Sequence, residues 1–296
     1  MQSVNTANSY FSTRERQRLT RNILLTSLAV LTSISFLFPF FWTVTSSLKS
    51  PAEVSSFPPV WIPSAIRWQN YLTVFQRTLF VRWVLNTSYV TALTIVGSIL
   101  SSSIVAYSFA RFEYRGRELL FMITLSTMII PAQVTLIPRY VLFHRLGWLN
   151  TYKPLWVPAW FGGGAFNIFL MRQFILSLPR ELDEAALIDG ANYLQIFASI
   201  LIPLCKPVLA TAAVIAFIGS WNRYIDPLIY LHSREKMVLA VGIDTMNQDH
   251  MGETAGEPTF HYLMALCTMA IIPPVVLFFT AQRYFVRGIV LSGIKG

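Results

Sequence analysis

The segment Glu184–Gly190 reads Glu-Ala-Ala-Leu-Ile-Asp-Gly, and the chain continues to Ile-Leu-Ile-Pro at 200–203. It lies between two long apolar runs. Its residues predict a short helix with Pro179 at the first helical position, where a missing N–H costs nothing. The small side chains of Ala185 and Ala186 allow a neighbour to approach closely. The segment is therefore predicted to be a helix that another protein holds.

The predicted helix has an acidic first turn, and the helix dipole favours carboxylates there. The acidic residues are Glu181, Asp183 and Glu184. Helical spacing places a second set of side chains on one common face. That face consists of Leu182, Ala186, Gly190 and Tyr193. Gly190 costs about 1 kcal/mol relative to alanine inside a helix, so we expect it to serve packing or a hinge.

The composition is that of a membrane protein, with 54% hydrophobic and only 12% charged residues among 296. A membrane-spanning helix needs about 20 mainly apolar residues. Six segments meet this requirement: Ile23–Val44, Leu85–Ala110, Leu119–Val141, Leu155–Leu178, Ile200–Ile225 and Tyr262–Ala281. Arg172 and Lys206 lie near the ends of the fourth and fifth segments, and their long stems can reach the interface. The predicted fold class is an all-α polytopic membrane protein with six transmembrane helices.

The charges at the ends of the chain predict its orientation. Residues 1–22 are polar and arginine-rich, which favours an uncleaved, cytoplasmic N-terminal segment. Six spans return the chain to the cytoplasm, so residues 23–282 form the membrane domain and residues 283–296 a cytoplasmic tail. Positive flanks facing anionic lipid account for the net charge of +9. We find no basic run with interleaved aromatics, so we expect no nucleic-acid partner.

Two polar features of the predicted spans have different interpretations. Ser101–Ser103 favours close helix packing, because small hydroxyl side chains let membrane helices approach and bond back to the helix. Gln133 lies between Pro131 and Pro138, and a proline in a membrane helix frees a carbonyl that is tolerated beside protein or water. Gln133 therefore lines a pore or serves as packing glue, and these alternatives stay open.

The sequence shows no arrangement typical of catalysis or metal binding. Cys205 and Cys267 lack metal-type spacing, and the four histidines form no helical ligand pair. Asp183 and Glu184 are adjacent, so they point in different directions. An alternative is a membrane enzyme such as a lipid-linked glycosyltransferase, which would need a carboxylate or metal cluster. Another is an ion-coupled carrier, which should show repeated halves and intramembrane charges.

Three motifs resemble those of ABC-importer permease subunits of the carbohydrate-uptake, maltose-importer type. The spacing from Glu184 to Pro203 resembles the signature loop of that family, with Ile202 where leucine is more usual. The segment Trp221–Leu228 resembles a Trp-Asn-aromatic-Pro-Leu motif, but Asp226 replaces an aromatic residue. The ending Ala281–Gly296 resembles the C-terminus of the same family.

The resemblance implies a functional assignment and a set of partners. It implies a loop, residues 179–203, between spans 4 and 5 that contains a cytoplasmic coupling helix. The residues that contact the ATPase would be Glu184, Ala185, Ala186, Asp189 and Gly190. The expected partners are a second permease, an ATP-binding subunit dimer, an external solute-binding protein and membrane lipid. We expect ATP and Mg²⁺ on the ATPase and no cofactor on this chain, which is therefore not itself an enzyme.

The same resemblance predicts a place and a substrate. The protein is expected in the cytoplasmic (inner) membrane of a prokaryote, where it would translocate a sugar or a related polyol-phosphate. A polar glycine-rich break, Gly162–Gly164, precedes Asn167 in the fourth segment. We expect a loosened helix start there. The candidates for the translocation path are Gln133, Asn167, Trp221 and Asn222.

Overall fold

The computed structural model describes the backbone of residues 2–252 and 260–292 and the side chains of residues 18–247 and 260–282. Every regular element in these ranges is a helix, and none of the described residues is in a strand. The all-α prediction is therefore confirmed. Clustered contacts divide the chain into one compact unit of Met1–Thr73 with Gly256–Thr268, and another of Val74–Ala255 with Met269–Gly296.

The described residues form fifteen α-helices, numbered in chain order. They are α1 Gln2–Ser47, α2 Pro51–Val54, α3 Gln69–Arg77, α4 Phe80–Arg111, α5 Arg117–Ser126, α6 Leu136–Arg145, α7 Lys153–Trp156, α8 Ala165–Leu176, α9 Glu181–Ile188, α10 Tyr193–Gln195, α11 Ile202–Leu204, α12 Lys206–Trp221, α13 Ile225–Tyr230, α14 Leu239–Gly252 and α15 Phe260–Ser292. Short 3₁₀ turns lie at 127–129, 157–160 and 234–236, and a π-helical turn spans Ile196–Leu201.

The segment that follows α1 is ordered by polar contacts. Ser50 and Glu53 form a capping box at the start of α2, and Glu53 also accepts hydrogen bonds from the backbone and hydroxyl of Ser64. Hydrogen bonds from the Ser50 backbone and from Ser64 lower the pKa of Glu53 to about 2. The carboxylate therefore stays charged, and it joins the two ends of this segment.

The long helix α4 is the centre of the second unit and packs against α8, α12, α14 and α7. Its serines allow this packing, as predicted from the sequence. Ser102 and Ser103 donate to the carbonyls four residues earlier, and Ser98 donates to the carbonyl of Gly163 at 2.8 Å. The described part of this unit has one hydrophobic cluster around Ala106, Ile175 and Ile196. Another surrounds Tyr230.

Three of the predicted spans are long, continuous apolar helices. These helices are Arg18–Ser47, Phe80–Arg111 and Phe260–Gln282. Two further segments qualify as broken spans if each bent pair counts as one, because the chain bends by 75° between Leu176 and Glu181 and by 77° at Cys205. The structure thus has three to five helical segments that are able to cross a membrane among its described residues.

The prediction of a continuous third span, Leu119–Val141, is wrong. Helix α5 ends at Ser126, and α6 begins only at Leu136. Ile130 has an extended backbone with ψ of 116°, because the ring of Pro131 disfavours the helical conformation in the residue before it. Pro138 lies in the first turn of α6, where a proline is tolerated.

The fourth and fifth spans also differ from the prediction. The fourth begins as a short helix and a 3₁₀ turn, and it becomes regular only after Gly162–Gly164, which confirms the expected loosened start. The fifth begins at Tyr193 and ends at Trp221, with its bend at Cys205 just before Pro207. A proline cannot donate the N–H that a continuous helix would need there.

The side chain of Arg172 reaches the end of α4 and the start of α5. Its side chain is buried, its Nε donates to the carbonyl of Phe109 at 3.2 Å, and its Nη2 contacts Glu118 at 3.0 Å. The guanidinium also lies 4.1 Å from the ring centre of Phe121. Arg172 therefore joins α8 to the end of α4 and the start of α5.

Candidate functional site

The helix α9 carries the Glu-Ala-Ala motif, and its start differs from the prediction. It begins at Glu181 with Arg180 as its N-cap, so Pro179 precedes the helix instead of occupying its first position. The side chain of Arg180 makes no capping hydrogen bond. The acidic residues of the first turn therefore supply the negative charge that the helix dipole favours.

The prediction that Gly190 lies inside a helix is wrong, and so is the single face shared by Leu182, Ala186, Gly190 and Tyr193. Helix α9 ends at Ile188, and Gly190 has φ of +84°. The N–H of Gly190 bonds to Leu187 O at 3.1 Å and that of Ala191 to Ala186 O at 2.9 Å. This pair of bonds is a Schellman motif, in which glycine supplies the left-handed residue that stops a helix.

A second helical start follows the glycine turn immediately. The side chain of Asn192 accepts from the N–H of Gln195, and the side chain of Gln195 accepts from the N–H of Asn192, which forms a capping box. Helix α9 is consequently an independent arm of two turns, limited by a bend before it and a glycine turn after it.

The described surface of this arm combines exposed apolar and acidic residues. Ala186 is buried in the hydrophobic cluster, whereas Glu184 and Ala185 are exposed. Ile188 is 86% exposed and Leu194 is 74% exposed. Asp189 is the C-cap of α9 and is also exposed. Four of the five motif residues are therefore exposed on α9 or in the turn that ends it, and Ala186 is buried.

An open pocket of about 390 Å³ lies between this arm and the end of α4. Its lining combines three carboxylates, two guanidiniums and aromatic rings. The lining residues are Tyr107, Arg111, Phe112, Glu113, Arg180, Asp183, Glu184, Leu187 and Tyr193. The carboxylates outnumber the guanidiniums, so the pocket favours a basic group.

An ion pair that the sequence analysis missed lies at the wall of this pocket. Nε of Arg111, the last residue of α4, is 2.7 Å from Oδ2 of Asp183, and the side chains are only 5% and 15% exposed. The contact is an ion pair without hydrogen-bond alignment, and Asp183 Oδ1 has no hydrogen-bond partner among the described residues. In the sequence, Arg111 is recognisable as the residue just before the short loop that contains Gly116.

Aromatic rings join α4 to the chain beyond the glycine turn. The ring of Tyr107 is 5.2 Å from that of Phe197, and the ring of Phe112 is 5.1 Å from that of Tyr193. These contacts pack the end of α4 against α10 and the π-helical turn. The arm is thus held at both ends by the same helix.

The candidates for the translocation path have four different environments. Gln133 is exposed in the break between α5 and α6. Asn167 donates to Ser98 Oγ at 2.8 Å and to Gly163 O at 3.0 Å, which indicates a packing role. Nothing in the structure gathers these residues into one site.

Trp221 and Asn222 close α12, and they differ in exposure. Trp221 is buried, and its Nε1 donates to the carbonyl of Ala270 at 3.2 Å, so it joins α12 to α15. Asn222 is exposed and donates to Ile218 O. Nearby, Asp226 lies 3.5 Å from Nη2 of Arg139, which gives the carboxylate at this motif position a charged partner that the sequence did not indicate.

The described residues contain no group of three or more His, Cys, Asp or Glu side chains that could hold a metal ion. Cys205 and Cys267 are free thiols. Of the acidic residues after α13, Glu253 and Glu257 lie outside the described residues, as does the C-terminal Gly293–Gly296.

The all-helical membrane fold, with the Glu-Ala-Ala segment in a short helix after a bend, is similar to that of transport permeases. The structure described as a bacterial ABC transporter involved in import of the acidic polysaccharide alginate matches with a TM-score of 0.79. It is 29% identical to this chain, and the match covers 89% of this chain and 96% of that one. The chain belongs to the family of binding-protein-dependent transport system inner membrane components, which matches residues 98–291.

Related permeases match over most of their length. The chain is 34% identical over 264 residues to the sn-glycerol-3-phosphate transport system permease protein UgpE of Yersinia pestis, covering 86% of this chain and 91% of that protein. It is 32% identical over 262 residues to the arabinooligosaccharides transport system permease protein AraQ of Halalkalibacterium halodurans, covering 88% and 91%. The protein is therefore a permease subunit of an ABC importer of the sugar-transporting type.

Proposed function

We propose that α9 is the coupling helix of this importer, the element that docks on a separate ATP-binding subunit. The exposed apolar residues Ile188, at the end of α9, and Leu194, in α10, carry this proposal, because they stand on either side of the glycine turn that follows the acidic residues of α9. Exposed apolar residues surrounded by polar ones mark protein interaction sites. ATP and Mg²⁺ bind the partner subunit in this scheme, and this chain binds no cofactor.

The acidic pocket supplies the polar part of the interface. Glu184 lines it at the exposed side of α9, and Asp183 Oδ1 is a buried acceptor without a partner among the described residues. A lysine or arginine of the ATPase subunit would pair with Glu184, the exposed carboxylate of the two. A hydrogen bond to a charged group contributes about 1.5–3 kcal/mol. Gly190 leaves open space at the adjacent turn, where no atom lies within 4 Å of the position that a Cβ would occupy.

The remaining assignments follow from the resemblance and from the relatives. The chain crosses the inner membrane of a prokaryote six times, with the broken third segment as one crossing and both termini in the cytoplasm. It pairs with a second permease and receives its substrate from a solute-binding protein. Its relatives are named for arabino-oligosaccharides and glycerol-3-phosphate, which supports a sugar or polyol-phosphate substrate. Gln133 and Asn222, both exposed, are the better placed of the path candidates.

Co-purification of the ATPase subunit with tagged permease tests the docking proposal. Ile188→Glu places a charge in the apolar contact, so it should abolish recovery of the ATPase while the second permease is retained. Glu184→Gln should weaken ATPase binding by about tenfold or more. Glu181→Gln is the matched control, because Glu181 is exposed on the same turn but does not line the pocket. Full ATPase recovery with Ile188→Glu would refute α9 as the docking element.

A further inference from the structure

Arg111 contacts α9 and the chain just before it at three points. Its Nε pairs with Asp183 in the first turn of α9. Its Nη2 donates to Leu178 O at 3.2 Å and lies 3.5 Å from Pro179 O. One guanidinium therefore joins the end of α4 to both the bend and the helix that follows it.

These contacts stabilise a connection that has little support of its own. Residues 177–179 lie at the 75° bend between α8 and α9, and the carbonyl of Leu178 accepts from Arg111 in place of a helical N–H. The planar fork of an arginine donates in several fixed directions from one rigid group, unlike a lysine ammonium. Arg111 thus fixes the angle at which α9 leaves α8.

The downstream side of α9 is attached to α4 by different chemistry. Tyr107 and Phe112 pack on Tyr193 and Phe197 beyond the glycine turn. These ring contacts are apolar and tolerate small displacements, whereas the guanidinium of Arg111 holds both the Asp183 carboxylate and the carbonyl of Leu178. A displacement of α9 consequently reaches α4 through Arg111 at the upstream end.

We propose that Arg111 is a positioning residue that transmits movement of α9 to α4 through Asp183 and the carbonyl of Leu178. This inference rests on the proposed docking of the ATPase at α9. In this proposal the movement passes to the second span, α4, which packs against α8 and α12. Loss of Arg111 leaves α9 able to bind the ATPase but unable to move α4 with it.

A control lies in the loop that follows α4. Arg115 is exposed four residues after Arg111, and it does not line the pocket. Arg115→Gln therefore removes a guanidinium near the end of α4 without removing the contact between α4 and α9.

The test uses the assembled importer in proteoliposomes with an environment-sensitive fluorophore on Leu85→Cys, near the far end of α4. Leu85 is 63% exposed, and Cys205 and Cys267 are replaced by alanine. Emission is compared between the nucleotide-free complex and the complex trapped with ATP, Mg²⁺ and orthovanadate. Arg111→Gln and Asp183→Asn should reduce the trapped-state shift about fivefold or more, the lower range of allosteric coupling. Arg115→Gln should retain it, and Arg111→Lys should restore part of it.

The outcomes separate the two proposals. A purely structural role would lower the yield of complex but leave the shift unchanged in the complexes that assemble, and this result overturns the inference. If Arg111→Gln does not assemble, Asp183→Asn decides, because it keeps the side-chain shape, and a parental shift again overturns the inference. If the parent complex binds no ATPase, the proposed docking fails first and the inference fails with it.

Discussion

Gly190 determines where the helix α9 ends. Its φ of +84° lies in the left-handed region, where a residue with a Cβ costs about 1–2 kcal/mol. The two hydrogen bonds of the Schellman motif stop α9 there and expose Ile188 at its tip. Gly190 therefore ends the helix, and it does not provide close packing inside one.

Gly190→Ala should destabilise the purified importer by about 1–2 kcal/mol, because the strain is in the backbone and no neighbouring atom has to move. Thermal unfolding in detergent measures this change. Gly219→Ala is the control, since Gly219 is an exposed helical glycine of α12 with the same open space around its Cβ position. Alanine is the better helix former there, so this variant should be as stable as the parent or more so. Equal effects of both substitutions would contradict the assigned role of Gly190.

The ion pair between Arg111 and Asp183 could not be predicted from the sequence. The sequence predicted an acidic first turn, and the structure confirms it. Nothing local linked Asp183 to an arginine at the end of another helix, because that contact depends on how α4 and α9 pack. Asp189 and Gly190 were predicted to lie in a helix. In the structure Asp189 caps the end of α9, and Gly190 lies in the turn after it.

At the scale of the elements, Gly163 determines how closely α4 approaches the start of α8. A Cβ at this position would overlap the backbone carbonyl oxygen of Ser98. That carbonyl belongs to the helix backbone and cannot rotate away. Gly163 therefore permits the close approach of α4, and the glycine break also loosens the start of α8.

Gly163→Ala should destabilise the protein by about 1–3 kcal/mol more than Gly162→Ala, since overpacking adds to the backbone strain. Both glycines have positive φ, but Gly162 has open space around its Cβ position. The difference between the two variants in detergent unfolding therefore isolates the steric overlap. Indistinguishable unfolding of the two variants would show that α4 and this turn are not in close contact.

The apolar segments were easier to predict than the breaks within them. Hydrophobicity and length located the first, second and sixth spans, because a continuous helix in lipid needs a long apolar run. Hydrophobicity carries no information about bends, so the gap before α6 and the bend at Cys205 were missed. The prolines at 131 and 207 were visible, but whether a proline breaks a membrane helix depends on its neighbours.

At the scale of the whole molecule, the chain is a permease subunit of an ABC importer, and α9 is its proposed docking element. Its relatives extend over nearly the full chain, so the assignment covers the membrane domain and the loop together. The proposed role of the chain depends on one contact above all, that of α9 with the ATP-binding subunit. The exposed tip of α9 is where that contact should be most direct.

A photo-reactive benzoylphenylalanine at Ile188 tests this contact in membrane vesicles that contain the assembled importer. The same group at Phe161, an apolar residue that is 81% exposed, serves as the control. Irradiation should yield a covalent adduct between the permease and the ATP-binding subunit from position 188 and none from position 161. Absence of the adduct at 188 in vesicles that retain ATP-driven uptake would contradict the assignment of α9 as the coupling helix.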